Sequence, residues 1–186
     1  MQFVSTRGGS DPVNFFDAFA NGLAPDGGLY VPKNLPFLPR DLLVEDALPY
    51  PALAWDILGL FDSDHDPDHL VEIVDKSYGD FSDTMSAPLI QLSDNLFLLE
   101  LFHGPTLSFK DFGLQLIGNL FEEQIERTGK TINVLGATSG DTGSAAIAGL
   151  ANKKGVNAFV LYPEGRVSKL QERQMTCTGA KNIYPI

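Results

Sequence analysis

The sequence contains few of the features that define several common protein classes. Cys177 is the single cysteine among 186 residues, which excludes an internal disulfide framework and a cysteine-based metal cluster. No apolar run is long enough to cross a membrane, and the first nine residues lack the basic-then-apolar pattern of a secretory signal. We therefore expect a cytoplasmic protein that does not contact a membrane.

Basic residues are also scarce, since 13 lysines and arginines stand against 24 acids and give a net charge of -11. Residues 1–100 hold 17 acids and 4 bases (-13), whereas residues 101–186 hold 7 acids and 9 bases (+2). An acidic surface repels nucleic acid, and no basic stripe with interleaved aromatics is present, so we expect no nucleic-acid partner. The near-neutral second part can accept a small anion.

Apolar periodicity and charge divide the chain near residue 90. Residues 1–90 mix short strand patterns, helical patterns and proline-rich connections, which predicts an α+β region. Residues 91–186 contain a helix, a strand, a helix, a strand, a helix and a strand joined by short links. This alternation is typical of a parallel α/β sheet, and we expect a three-layer αβα domain. A hairpin over residues 88–101 precedes it.

One acidic segment raises the question of a metal site. Asp62, Asp64, Asp66 and Asp68 alternate as in a calcium loop, but Pro67 interrupts them, and the required glycine and closing glutamate are absent. We therefore predict no metal site there, and we expect His65 and His69 to lie on a solvated surface.

A single lysine is placed for covalent chemistry. Lys110 stands between Phe109 and Phe112 at the start of a helical pattern, just after a turn that contains Gly104 and Pro105. Apolar neighbours and the positive end of a helix both disfavour the ammonium form, and a neutral amine can form a Schiff base with a carbonyl. We hypothesise that Lys110 carries an aldehyde cofactor. The alternative is an ordinary surface lysine at a helix start.

A small-residue loop, Thr138-Ser-Gly-Asp-Thr-Gly-Ser144, connects a predicted strand to a predicted helix. Free backbone amides and hydroxyls at such a position bind anions. The loop matches neither a nucleotide P-loop nor the dinucleotide fingerprint, so it indicates a small anionic group and not ATP or NAD. Two alternatives remain open: a tight turn that only packs helix on strand, and the Asp-Thr-Gly signature of an aspartic peptidase, which needs a second copy and an all-β fold.

Four ordered blocks of the sequence resemble threonine synthase, a family of pyridoxal phosphate (PLP) enzymes of fold type II. The first block combines residues 4–8 with residues 22–32, and the second is Glu100-Leu-Phe-His-Gly-Pro-Thr-Leu-Ser-Phe-Lys-Asp111. The third block covers residues 135–146 and the fourth residues 162–176. The chain departs at Lys169, where many members carry proline. Related PLP enzymes of the same fold type usually have asparagine in place of Asp141, but threonine synthases often have aspartate there.

The resemblance implies a lyase of threonine biosynthesis that converts O-phospho-L-homoserine and water to L-threonine and phosphate. It implies that Lys110 binds PLP and shuttles protons. It also implies that the loop holds the substrate carboxylate or the cofactor ring hydroxyl through Thr138, Ser139, Gly140, Asp141 and Thr142. His103 is a weaker candidate because a packed histidine is the commoner outcome. Arg166 either contacts an anion or forms a structural ion pair.

The family is longer than this chain. Its glycine-rich loop for the PLP phosphate and its partner for the pyridine nitrogen are not found before Ile186. We therefore expect residues 1–90 to be the N-terminal region and residues 91–186 an incomplete PLP-facing domain, whose partner is the missing C-terminal domain. The alternatives are a threonine-synthase-like phospho-lyase that releases a keto acid, and a catalytically silent domain that mainly binds its missing half.

Overall fold

The computed structural model describes residues 1–43, 48–62 and 66–186 and contains two compact units, Met1–Glu72 and Ile73–Ile186. The boundary between these units lies inside a helix, and the functional division near residue 90 stays a prediction. Asp64 and His65 of the acidic segment lie outside the described residues. Within the described ranges, no helix has both the length and the apolar character needed to span a bilayer.

The first unit contains a two-stranded antiparallel sheet and helices. Strands β1 (Phe3–Ser5) and β2 (Tyr30–Pro32) pair, and helix α1 (Phe15–Asn21) lies between them in the chain. A short 3-10 helix (Arg40–Leu43), helix α2 (Tyr50–Phe61) and helix α3 (Pro67–Tyr78) follow. Helix α1 begins after Asn14, which is its N-cap because the Asn14 side chain accepts the Asp17 amide at 2.8 Å.

One aspartate organises a loop of the first unit, which we call the Asp26 turn (residues 5–9 and 26–28). The Asp26 carboxylate accepts hydrogen bonds from Ser5 Oγ at 2.7 Å, from the Gly28 amide at 2.9 Å and from the Gly9 amide at 2.7 Å. These donors, the Ser5 hydroxyl first among them, lower the pKa of Asp26 to about 2. The turn therefore joins β1 to the segment before β2.

The predicted hairpin provides the first two strands of the second unit. Strands β3 (Leu89–Ser93) and β4 (Leu96–Leu99) pair in antiparallel register, with Leu89 opposite Leu99. Every residue of both strands is exposed, although most of them are leucine, isoleucine or phenylalanine. The hairpin therefore presents apolar side chains to the surface of this unit.

The rest of the second unit is the predicted parallel α/β arrangement. Strands β5 (Ile132–Ala137), β6 (Val156–Leu161) and β7 (Ile183–Pro185) form one parallel sheet in the order β5-β6-β7. Helix α4 (Asp111–Thr128) precedes β5, helix α5 (Asp141–Leu150) connects β5 to β6, and helix α6 (Lys169–Thr176) connects β6 to β7. The predicted α/β fold class is confirmed.

The core of this unit lies on one face of the sheet. Val156, Ala158 and Val160 of β6 pack against Ile147 of α5 and Met175 of α6. On the opposite face Leu135 is 72% exposed, and the rings of Phe159 and Tyr184 stack with centroids 4.8 Å apart. We expected helices on both faces, whereas the helices of the described residues that pack against this core cover one face.

Two glycines set the distance between α4 and α5. A Cβ on Gly118 would overlap the Gly149 carbonyl, and a Cβ on Gly149 would overlap the Leu114 carbonyl. Since each helix leads into a strand of one parallel sheet, the two helices run in the same direction. Their N-termini therefore lie side by side at the edge where β5 ends.

Candidate functional site

Two helix starts meet at the carboxyl edge of the sheet. Lys110 directly precedes α4, and its Nζ forms an ion pair with the carboxylate of Asp141, the first residue of α5. The Lys110 side chain is 26% exposed and the Asp141 side chain 42%. The structure thus brings together two residues that the sequence predicted for one site, although they are 31 positions apart.

The electrostatics of this pair favour an ionised Asp141. The hydrogen bond from Lys110 lowers the pKa of Asp141, and the Thr142 amide adds to this by donating to Oδ1 at 2.9 Å. Asp141 lies in the first turn of α5, where a negative charge complements the helix dipole. We expected the loop to run to Ser144, but α5 begins at Asp141, so residues 141–144 form the first turn of the helix.

The two phenylalanines beside Lys110 have different surroundings. Phe109 contacts the amine, since Lys110 Nζ lies 4.4 Å from the centre of its ring. Phe112 instead packs in an aromatic cluster, with ring centroids 5.1 Å from Phe81 and 6.3 Å from Tyr78. The amine therefore has one aromatic neighbour and a carboxylate. Its activation by apolar surroundings stays a prediction.

Lys110 is carried by residues 104–111, a segment that we call the Asp111 turn. The buried carboxylate of Asp111 holds this segment in place. Asp111 has no exposed surface, and its carboxylate accepts from the Thr106 amide at 2.9 Å and the Thr106 hydroxyl at 2.8 Å. The Ser108 amide lies 3.4 Å from the same carboxylate. Leu107 has φ 62, a left-handed conformation that is strained for leucine. The Asp111 carboxylate thus fixes the backbone beside Lys110.

The loop of residues 138–144 is organised from inside by its own hydroxyls. Thr138 Oγ1 accepts the Gly140 amide at 3.0 Å and the Gly143 amide at 2.8 Å. Ser144 is buried and donates to the Gly140 carbonyl at 3.2 Å. Ser139 and Thr142 are exposed and available to a ligand. Among the predicted loop residues, Thr138 and Gly140 therefore shape the loop, while Ser139, Asp141 and Thr142 have accessible side chains.

A cavity of about 400 Å³ opens beside the ion pair. It is lined by residues of the Asp111 turn, by Asp141 and by α6: Thr106, Leu107, Ser108, Phe109, Asp141, Ser168, Leu170, Gln171 and Gln174. The sequence did not indicate Asp111 or the glutamines of α6 as site residues. These residues lie within the second and fourth blocks that resemble threonine synthase. Their spacing in the sequence gives no chemical reason to assign them to a site.

The two weaker candidates lie elsewhere. His103 Nε2 lies 2.8 Å from a Glu100 carboxylate oxygen, and its Nδ1 lies 3.1 Å from Ser82 Oγ. His103 is thus a packed, hydrogen-bonded histidine and does not line the cavity. Arg166 is exposed and forms no ion pair with any residue that the structure describes.

No three histidine, cysteine or acidic side chains cluster as metal ligands within residues 1–43, 48–62 and 66–186.

Comparison with protein families gives two adjoining matches. Residues 2–78 match the threonine synthase N terminus, and residues 84–184 match the pyridoxal-phosphate dependent enzyme family. The second match covers more than half of the chain. It includes the Asp111 turn, the loop of residues 138–144 and α6.

Individual relatives agree with these matches. The chain is 45% identical to a threonine synthase of Pseudomonas aeruginosa and 43% identical to one of Schizosaccharomyces pombe, over its whole length but over only 40% and 38% of theirs. It superposes on a crystal structure of a PLP-bound threonine synthase from Brucella melitensis with a TM-score of 0.93 and 39% identity, covering 40% of that chain. The chain thus spans about two-fifths of the length of these relatives.

Proposed function

Because the chain belongs to the family of pyridoxal-phosphate-dependent enzymes, we propose that it is the N-terminal part of a threonine synthase and that Lys110 holds PLP. The placement of the Lys110 amine carries the proposal. It lies at the start of α4, against the first residue of α5 and beside an open cavity. A lysine that is merely exposed at a helix start is not expected to pair with the first residue of a second helix beside a cavity.

The residues present fit an aldehyde cofactor that also carries anionic and hydroxyl groups. Lys110 supplies a primary amine, and the exposed hydroxyls of Ser139 in the loop and of Thr142 in the first turn of α5 supply hydrogen-bond donors. The starts of α4 and α5 add the positive ends of two helix dipoles. PLP, when bound, supplies an electron sink that stabilises negative charge on the carbons of an amino-acid substrate.

Each residue of the site has a distinct task in this proposal. Lys110 binds the cofactor through Nζ and moves protons to and from the substrate carbons. Asp141 orients Nζ through its ion pair, and Ser139 and Thr142 bind the substrate carboxylate. Thr138 and Gly140 keep the loop in shape. The substrate of the whole enzyme is O-phospho-L-homoserine, and the products with water are L-threonine and phosphate.

We propose that the remaining part of the site comes from a C-terminal domain, since the relatives extend well beyond the matched length. The described residues provide the amine and the loop. They provide no second glycine-rich loop of the kind that we expected to hold the PLP phosphate. Cys177 is an exposed free thiol, which suits a protein of the reducing cytoplasm.

The first test is covalent trapping. The chain is incubated with PLP and reduced with borohydride, and the label is located by intact mass and peptide mapping. We expect selective labelling of Lys110 over Lys153, Lys154 and Lys181, because the Lys110 amine pairs with Asp141, a residue that lines the cavity. Lys110→Ala should lose the label and Lys153→Ala should retain it. Equal labelling of all four lysines would contradict the assignment.

The second test concerns the reaction. The protein extended to the length of its relatives is incubated with O-phospho-L-homoserine, and both phosphate and the carbon product are measured. Release of L-threonine with phosphate is the expected result, and Lys110→Ala should abolish it. Release of a keto acid with phosphate would keep the role of Lys110 but replace the synthase by a phospho-lyase.

A further inference from the structure

Helix α6 contacts the Asp111 turn through one glutamine. Gln174 Nε2 donates to the Thr106 carbonyl at 3.3 Å, across 68 positions of sequence. The amide and hydroxyl of Thr106 already donate to Asp111, so the Gln174 bond joins α6 to a segment that is rigid within itself. Lys110 lies at the end of the same segment.

A second glutamine of α6 contacts the loop that leads to Asp141. The carboxamide of Gln171 lies against Gly140, where an added Cβ would be 2.5 Å from Oε1 and 2.8 Å from Cδ. Ser168 Oγ donates to Gln171 Oε1 at 3.1 Å and fixes the side chain. The Gln171 carbonyl also lies 3.5 Å from the hydroxyl of the buried Ser144. Gln171 therefore packs on the loop just before Asp141.

The same helix is anchored in the core beneath the loop. Met175 has no exposed surface, and its Sδ would be 2.9 Å from a Cβ added to Gly143. Gln171, Gln174 and Met175 recur at three- and four-residue spacing, so they share one face of α6. A shift of α6 would have to disturb the core as well as the cavity.

We propose that α6 is a brace that sets the separation between the Asp111 turn and the loop of residues 138–144. Gln174 and Gln171 are its positioning residues. Each contacts one of the two segments, and together they hold Lys110 and Asp141 in contact. The consequence for cofactor capture rests on the proposed function, whereas the brace itself depends only on the contacts described above.

Zero-length crosslinking measures this separation without any cofactor. A water-soluble carbodiimide activates the Asp141 carboxylate, the Lys110 amine attacks it, and an amide forms as one water is lost to give the urea. Lys153 and Glu122 form a second pair, with Nζ 2.9 Å from Oε2, and neither of them contacts α6 through a described polar bond. The ratio of the two crosslinks, measured by peptide mapping, cancels differences in reagent and in overall folding.

The informative variants are Gln174→Met, which keeps the side-chain length but removes the donor, and Gln171→Ala. We expect each to lower the ratio of the Lys110–Asp141 crosslink to the Lys153–Glu122 crosslink by about threefold or more. Gln174→Met removes one neutral hydrogen bond, which changes a local equilibrium by about that factor, and Gln171→Ala removes the carboxamide that packs against Gly140. Gln91→Met is the matched control, since Gln91 Nε2 also donates to a backbone carbonyl, that of Asp94, but in the hairpin. It should leave the ratio unchanged.

An unchanged ratio in both α6 variants would overturn the brace. Where both crosslinks also lose yield equally, the variants would have only a general structural effect. PLP trapping on the same proteins separates this inference from the proposed function. A lowered ratio with no selective PLP label on the unsubstituted chain supports the brace and contradicts the cofactor. An unchanged ratio with selective labelling of Lys110 does the reverse.

Discussion

The Asp26 turn and the Asp111 turn, which lie in different units of the molecule, are both held by a central aspartate. In each, one aspartate accepts several hydrogen bonds from hydroxyl and backbone donors that precede or surround it. The Asp26 carboxylate is only half-buried, whereas Asp111 has no exposed surface. An aspartate-centred turn is therefore not by itself a sign of function. The Asp111 turn differs because it places a lysine against a second loop.

The two turns also differ at their left-handed positions. The Asp26 turn uses Gly27, with φ 77, and glycine adopts this conformation freely. The Asp111 turn uses Leu107, with φ 62, where a side chain costs about 1 kcal/mol. Such strain persists only where the surroundings fix the backbone, and here the buried Asp111 carboxylate does so. Strain is thus found in the turn that carries Lys110.

Loss of the buried carboxylate should have the largest effect. In Asp111→Ala the amide and hydroxyl of Thr106 lose their acceptor in a buried place, which we expect to lower the free energy of unfolding by about 3 kcal/mol. Urea unfolding followed by circular dichroism measures it. Asp26→Ala is the control and should cost less, because the Asp26 carboxylate is only half-buried and one of its three donors, the Gly9 amide, is exposed. Equal losses would remove the distinction between the turns.

Substitution of the glycine in the first turn comes next. In Gly27→Ala the backbone is strained at φ 77, and the new Cβ would lie 2.8 Å from Arg7 Nη1, so we expect a loss of about 1–2 kcal/mol. Gly165→Ala separates the two causes, since Gly165 has φ 67 and open space around it. A loss no greater than that of Gly165→Ala would show that displacement of Arg7 costs nothing.

The reverse substitution in the second turn should stabilise the protein. Leu107→Gly relieves the left-handed strain, and because the Leu107 side chain is 65% exposed it gives up little packing. We expect a gain of about 1 kcal/mol in the free energy of unfolding. Leu107→Ala retains the Cβ and should show no such gain. A loss of stability in Leu107→Gly would mean that the turn is not strained at this position.

The pH dependence of the Asp26 turn is the smallest effect, because its carboxylate remains in contact with water. The pKa of Asp26 falls from 3.8 to about 2 on folding. The ionised group therefore stabilises the folded state above pH 3.8, and this contribution disappears as the pH falls toward 2. Unfolding free energies between pH 5 and pH 2 should have a smaller slope in Asp26→Asn than in the unsubstituted chain. Identical slopes would contradict the assignment.

Much of the fold could be predicted from periodicity. The hairpin, the three strands of the parallel sheet and the helices between them lie where the apolar patterns placed them, with ends shifted by a few residues. The relationship to threonine synthases, drawn from four short blocks, is confirmed. Helix α1 begins where the Asn14 side chain caps it, whereas α5 has Gly140 as its N-cap with no side-chain cap bond and begins at Asp141, whose charge complements the helix dipole.

The contact between Lys110 and Asp141 could be anticipated only in part, and the functional roles of both residues stay predictions. Lys110 was chosen because it is an amine at a helix start, whereas Asp141 was named through the resemblance to threonine synthase. Gln174 was not identified, because its contact with Thr106 spans 68 positions and leaves no local pattern. Asp111 was overlooked for another reason: its importance depends on complete burial, which a residue beside a lysine does not reveal.

The spacing of the site along the chain has a consequence for the order of assembly. Contact between Lys110 and Asp141 closes a segment of 31 residues, whereas the Gln174–Thr106 bond closes one of 68. Loop-closure entropy makes the longer closure about 0.7 kcal/mol more costly. We therefore expect the lysine and its loop to meet early in folding, while α6 docks later. During synthesis the ribosome adds both residues of this pair before it adds any residue of α6.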